Sequence, residues 1–529
     1  MQLESFLESS AARWPEKTAL VCGKRRLAYA DLERSCNRLA HALIAEGIGR
    51  GDRVAVYLEN CVEAVISVFA ILKAGAVFMM VNPTTKADKL RYILNNARAA
   101  GLILAPRAFR TLRSCLADLP HLRRVIVTGD APGHGDPGRD LSHESAGRAE
   151  PVGFHSFEAL LRRHASDVQP PPKRAIDVDL AALIYTSGST GNPKGVMVTH
   201  LNMVAAATSI TTYLENVPED IIFNVLPLSF DYGLYQVLMA AKIGGTLVLE
   251  RSFAYPHAVL QKLVQERATG FPIVPTMLAM LLQMDLAQYD LSRLRYITNT
   301  GAALPTEHIF QLRERLPHVR IYSMYGLTEC KRVSYLPPEE IERRPTSVGR
   351  AMPNEEVYIV DDHGRRVGPG VVGELVVRGS NVMRGYWELP QETDRVLRPG
   401  PLPGEKVLYT GDLFRMDHDG YLYFVGRKDD IIKSRGEKVS PKEVENVLYR
   451  HPGVAEAAVI GVPDPVLGQA VKAVVAPKKG CQLDEKAILR HCANHLEDFM
   501  VPRCVEVRPA LPKTSNGKID KRELSGVSA

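Results

Sequence analysis

The stretch YTSGSTGNPKG, residues 185–195, decides how the rest of the chain is read. It holds four small hydroxyl residues, three glycines and one lysine in eleven positions. Glycines let backbone N–H groups approach an anion, hydroxyls donate hydrogen bonds and a lysine adds positive charge, which together suit a phosphate. The common nucleotide-loop spacing G-x-x-x-x-G-K-[ST] is absent, because Lys194 follows Pro193 and precedes Gly195. Either the loop holds a triphosphate in another way, or it is a flexible Ser/Gly linker. The flanks favour the first reading. LAALIY at 180–185 is an apolar run of buried-strand type. VMVT at 196–199 leads into HLNMVAAAT from His200, a helix with Thr199 as its cap.

Outward from the loop, the chain has 529 residues, which calls for several domains or subdomains. With 45% hydrophobic and 24% charged residues, its composition is that of a soluble globular protein. A net charge of +6 without a lysine/arginine block gives no support to a nucleic-acid partner. The cysteines (Cys22, Cys36, Cys61, Cys115, Cys330, Cys481, Cys492 and Cys504) form no C-x-x-C pair, which argues against a zinc cluster or disulfide framework and fits a reducing compartment. The segment MQLESFLESSAARWPEKTAL lacks the basic start and apolar core of a signal peptide. The most apolar stretch, Val62 to Val81, is interrupted by Glu63 and Lys73 and reads as a buried helix followed by a strand, not a membrane span. A cytoplasmic protein is expected.

Helical and strand patterns alternate to about residue 125, as in layered α/β folds. Residues 129–178 are rich in Gly, Pro and charge and read as a surface excursion. The α/β pattern resumes from about 180 to 330, and a β-rich section follows. The last hundred residues read as a separate small α+β domain. Its first helix is announced by Ser440-Pro-Lys-Glu443, a capping box with proline at the first helical position. The junction is the charged run GRKDDIIKSRGEK, 426–438.

Four further segments, MYGLTE (324–329), YTGD (409–412), GRKDD (426–430) and PKTSNGK (512–518), follow the loop in order. Together with it they resemble the adenylate-forming superfamily of acyl-CoA synthetases, amino-acid adenylation domains and luciferases. The resemblance runs from WPEKTAL to NGKIDKREL, nearly the whole chain. It implies an α/β N-terminal domain of layered sheets with a β-rich subdomain, residues 1–428, and a small mobile α+β C-terminal domain, residues 429–529. It also implies an AMP-forming acid–thiol ligase. ATP activates a carboxylic acid as its adenylate, and the acyl group then passes to a thiol, either CoA or a carrier-protein pantetheine.

The resemblance assigns roles residue by residue. Thr186, Ser187, Gly188, Ser189, Thr190, Gly191 and Lys194 would wrap the β- and γ-phosphates. Thr328 would bond the α-phosphate, and Glu329 would help bind Mg²⁺, a hard cation that takes oxygen ligands. Tyr325 and Gly326, with Gly301 and Ala302, would line the adenine slot; Asp412 and Arg427 would hold the ribose. Lys518 would bridge the substrate carboxylate and the α-phosphate, although alone it would read as a mobile surface lysine. Asp429 matches the hinge about which the small domain rotates between half-reactions, presenting Ser434 to Lys438 to the thiol.

One segment departs from the acyl-CoA synthetase pattern. Where those enzymes carry a histidine in LPLxH, this chain reads Leu226-Pro-Leu-Ser-Phe-Asp-Tyr-Gly233, with Phe230 in its place and Asp231 next. Amino-acid adenylation domains commonly carry Phe-Asp here, their aspartate pairing the substrate's ammonium. The alternative is that Asp231 faces solvent or caps a helix. A rival within the class is therefore an amino-acid-activating enzyme that loads a carrier protein. A rival outside it is a non-catalytic ligand sensor on the same scaffold, against which every catalytic motif is intact. A P-loop ATPase fails on spacing.

Overall fold

The structure is a computed structural model that describes residues 1–116, 119–129, 152–186, 193–428, 430–434, 437–464, 468–514 and 517–525. The chain divides into two compact units. The first is Met1–Pro272 with Thr328–Arg332 and Ser380–Asp394; the second is Ile273–Leu327, Val333–Gly379 and Arg395–Ala529.

In the first unit, the opening stretch is a hairpin. Strand Leu180–Thr186 pairs antiparallel with Lys194–Thr199, so that Thr186 lies opposite Lys194 at the mouth of the loop. Gly385–Tyr386 adds antiparallel to the second hairpin strand. Behind Leu180–Thr186 the sheet continues in parallel through Val77–Met80, Arg53–Tyr57, Ala99–Leu104, Arg124–Val127 and Gly153–Ser156. Arg53–Tyr57, Ala99–Leu104 and Arg124–Val127 are near-continuous Val/Ile/Leu/Ala runs, the pattern of strands buried on both faces. The expected surface excursion is thus partly built into the fold: Gly153–Ser156 is the last strand of this sheet and helix Phe157–Arg163 follows it. A second group in the same unit orders Ile221–Asn224, Thr246–Leu249 and Thr18–Cys22 in parallel, with Arg25–Ala28 antiparallel at its end.

The apolar stretch from Val62 forms helix Val62–Lys73 and strand Val77–Met80, as expected. Lys73 is buried at its end because two carboxylates meet it, Glu8 and Glu33, each 2.8 Å from Nζ. No helix among the described residues is long and apolar enough to cross a membrane.

In the second unit, Tyr296–Asn299 and Arg320–Tyr325 run parallel. The β-rich section is an antiparallel sheet of Glu355–Val360, Gly373–Gly379, Lys406–Met416 and Leu397–Pro399, with Leu422–Arg427 also on Lys406–Met416. The C-terminal residues form a further sheet, ordered Glu437–Val439, Ile432–Ser434, Gly468–Pro477 and Val454–Asp464, with Cys504–Val507 on Gly468–Pro477. Helix Pro441–Tyr449 packs on it through Val444, Val447 and Leu448. Ser440 caps that helix, accepting from the Glu443 N–H at 3.3 Å.

Candidate active site

In the first unit, the hairpin fixes the ends of the phosphate-type loop. Of the residues assigned to it, Thr186 and Lys194 are described; Ser187, Gly188, Ser189, Thr190 and Gly191 lie outside the described residues. The Lys194 ammonium is 2.7 Å from Glu392 and 5.5 Å from the centre of the Tyr386 ring. The Tyr386 hydroxyl donates to Glu329 Oε1 at 2.7 Å, and Met383 N–H donates to the Glu329 carbonyl at 2.7 Å. Strand Gly385–Tyr386 therefore ties Glu329 to the lysine at the loop's exit. Sequence reasoning missed Tyr386 and Glu392, whose segment MRGYWELPQE carries no pattern of its own.

A separate constellation surrounds the acyl-type segment. Phe230 is the N-cap of helix Asp231–Ile243, and Asp231 sits in its first turn, where the helix dipole favours an anion. Gly233 lets this helix lie on the preceding loop, since a Cβ there would stand 2.4 Å from the Pro227 carbonyl oxygen. Asn60 and Asn224 hold that loop. Their side-chain amides donate to the Leu226 carbonyl at 2.9 and 3.1 Å.

The Lys331 ammonium lies 3.4 Å from Asp231 Oδ2, with both side chains nearly buried. It also lies 4.4 Å from the Tyr235 ring centre and 5.7 Å from that of Tyr232. Burial, opposed by Asp231 and reinforced by the Arg332 charge, brings Lys331 down to about 7. Where the sequence reading allowed a substrate ammonium beside Asp231, the structure places a cation of the chain itself, Lys331. Sequence reasoning missed it: Lys331 and Arg332 follow Cys330 after the Thr328-Glu329 motif, remote in sequence from Asp231.

In the second unit, the nucleoside-type residues come together. Asp412 and Arg427 are cross-strand partners, with Arg427 Nε 3.5 Å from Asp412 Oδ1. The Tyr325 hydroxyl donates to Asp412 Oδ2 at 2.5 Å. The Tyr325 ring leans edge-on against Phe414, centroids 4.8 Å apart, and stacks with Phe424 at 6.4 Å. Gly326 follows Tyr325 at the strand's end. Gly301 and Ala302 lie in the turn after strand Tyr296–Asn299, where the buried Asn299 amide donates to the Ala302 carbonyl at 2.9 Å.

Lys518 ends a turn in which its carbonyl accepts from Thr514 N–H at 2.7 Å. Gly517, at φ +76°, lies against helix Pro275–Leu281: a Cβ would be 3.1 Å from Thr276 Oγ1. Asp429 lies outside the described residues.

Among the described residues no group of three or more His, Cys, Asp or Glu side chains could hold a metal ion. A Mg²⁺ ion is typically held by one or two carboxylates plus substrate phosphates, and the Glu329 carboxylate, held by Tyr386, is of the kind such an ion takes.

A family model described as AMP-binding enzyme matches residues 7–387, and one described as AMP-binding enzyme C-terminal domain matches residues 443–518. The chain is 33% identical over 537 residues to a long-chain-fatty-acid–CoA ligase of Bacillus subtilis (strain 168), covering 99% of this chain and 94% of that protein. It is 34% identical over 530 residues to an indoleacetate–CoA ligase of Aromatoleum aromaticum, covering 99% and 98%. The crystal structure of the anthranilate CoA ligase AuaEII in complex with anthranoyl-AMP matches with a TM-score of 0.87 at 29% identity, covering 99% of this chain and 97% of that one.

Proposed function

The chain belongs to the AMP-binding enzyme family, and on that premise we propose how its residues carry the reaction. It is an ATP-dependent, AMP-forming acid–thiol ligase with coenzyme A as acyl acceptor. A carboxylate oxygen attacks the α-phosphorus of ATP, the bond to pyrophosphate breaks, and the acyl-adenylate forms. The thiolate sulfur then attacks the acyl carbon, and AMP leaves with the electron pair of the broken C–O bond.

The first step brings two anions together, so fixed positive charge and donors dominate its catalysis. Thr186 and Lys194 hold the leaving pyrophosphate, with Ser187, Gly188, Ser189, Thr190 and Gly191 completing the loop. For this, Lys194 exchanges Glu392 for phosphate. Thr328 bonds the α-phosphate. Glu329, held by Tyr386, is the carboxylate for Mg²⁺, which when bound would neutralise phosphate charge. Asp412 accepts from the ribose hydroxyls, oriented by Tyr325 and Arg427. Gly326, Gly301 and Ala302 leave room for the flat base. Lys518 meets the attacking carboxylate.

The observation that carries this reading is the Lys194–Tyr386–Glu329 arrangement, which keeps the loop's lysine and a carboxylate for the metal together. A ligand sensor needs neither. Against the amino-acid rival, Lys331 already meets Asp231 within the chain, at 3.4 Å. A carrier-protein pantetheine presents the same thiol and is the second acceptor this chemistry admits. The cytoplasm, where ATP and coenzyme A are held, is the proposed compartment.

The test is ATP–pyrophosphate exchange across fatty, aryl and amino acids, followed by acid-dependent AMP release with coenzyme A. Exchange with at least one carboxylic acid is expected. No exchange with any acid would leave the sensor reading in place.

A further inference from the structure

Arg332 heads the largest fully buried side chains of the described protein, at 2% exposure. Enclosing a guanidinium is costly unless an anion meets it. Yet among the described residues no carboxylate forms an ion pair with Arg332, and its Nε is buried without a hydrogen-bond partner. Its guanidinium carbon lies 5.4 Å from the Tyr232 ring centre, and Lys331 is its chain neighbour. Asp231 is already engaged by Lys331 at 3.4 Å. Asp231 is thus met by Lys331, and among the described residues Arg332 has no carboxylate of its own.

The arrangement is built. Lys331 holds a left-handed backbone, φ +66°, which an L side chain rarely adopts and which costs about 1 kcal/mol or more. The buried Asn381 amide fixes the turn from both sides, donating to the Cys330 carbonyl at 2.7 Å and the Arg332 carbonyl at 3.0 Å. Two aromatic rings, Tyr232 and Tyr235, wall the charges on helix Asp231–Ile243.

We propose that Arg332, supported by Lys331, recognises a second carboxylate on the acyl substrate, and that the preferred substrate is a dicarboxylic acid. The planar guanidinium fork matches a carboxylate bidentately. The reacting carboxylate is the poorer partner. It loses its charge on becoming an acyl-adenylate, so an ion pair with it would stabilise the ground state more than the transition state. A distal carboxylate keeps its charge through both half-reactions, as an otherwise unmatched buried cation requires.

The inference rests on the acid–thiol ligase reading, and its test separates the two. The full chain is assayed by pyrophosphate exchange and by coenzyme A thioester formation. The substrates are aliphatic diacids of several lengths, their monomethyl half-esters, the matched simple acids and the matched amino acids. The wild type is expected to prefer a diacid over its half-ester by at least about thirtyfold in kcat/KM, the scale of an unpaired buried charge. Arg332→Met is expected to bring that ratio to within about threefold of one, and Arg332→Lys to restore part of it. If Arg332→Met fails to fold, the wild-type ratio of diacid to half-ester decides alone. Equal turnover of diacid and half-ester, a preference for an amino acid, or a diacid preference that survives Arg332→Met overturns the proposal. Absence of exchange with every acid overturns the ligase reading itself.

Discussion

A catalytic lysine is needed in adenylation only where carboxylate and triphosphate meet, two anions that repel each other. Lys518→Ala should therefore lower adenylate formation by about 10²–10³-fold, the scale of a lost transition-state donor. Thioester formation from supplied acyl-adenylate should stay nearly unchanged, as read by single-turnover assays of each half-reaction. Equal loss of both would remove Lys518 from this role. The residue scale is also where sequence reading is most uneven. Lys518, Asp412 and Glu329 stand out in the sequence only through their place in an ordered series of motifs, since each alone reads as an ordinary surface or turn residue. Asp231 was legible as a buried-site anion, but its cation was not. Lys331 stands a hundred positions away, and only folding puts its ammonium 3.4 Å from that carboxylate.

Helix Asp231–Ile243 shows how one position can weigh two opposed effects. Replacing a helical glycine by alanine normally stabilises by about 1 kcal/mol. At Gly233 the new Cβ would meet the Pro227 and Leu226 carbonyl oxygens at 2.4 and 2.7 Å, and backbone cannot step aside as a flexible side chain can. The clash wins. Gly233→Ala should destabilise by about 1–3 kcal/mol, measured by urea unfolding; a stabilised variant would show that the loop yields. Helix Thr306–Arg315 carries a second case. The His308 ring lies 6.0 Å from that of Tyr449 on helix Pro441–Tyr449, and burial, with Lys478 and Lys442 nearby, pushes its pKa down to about 4. Its ordinary value is about 6.5, so on acidification the unfolded chain takes up this proton first. This contribution is complete above about pH 6.5 and is lost as pH falls towards about 4, at most about 3 kcal/mol. His308→Gln should flatten the fall in thermal midpoint across that window. An unchanged pH profile would assign the slope to other groups.

At the scale of the whole molecule, compact units and moving parts are different divisions. Contacts group the C-terminal residues with those from Ile273 onward, whereas the proposed movement divides 1–428 from 429–529. Asp429 is the proposed pivot, and Asp429→Pro fixes φ near −65° and restricts rotation there. It should slow one half-reaction by at least about tenfold more than the other; mild, equal effects would move the pivot elsewhere. The sequence by itself determined the α/β layers, the strand entering the 185–195 loop and the Thr199-capped helix after it, the Ser440-capped helix and the chemical class. These rest on local periodicity, capping and motif order, which need no partner from afar. Only the tertiary structure decided that Tyr386 anchors Glu329, that Asn381 fixes the Cys330–Arg332 turn, and that Arg332 is buried with no carboxylate of its own among the described residues. Burial and charge balance are properties of what surrounds a side chain, and in a long α/β chain those surroundings come from segments far apart in sequence.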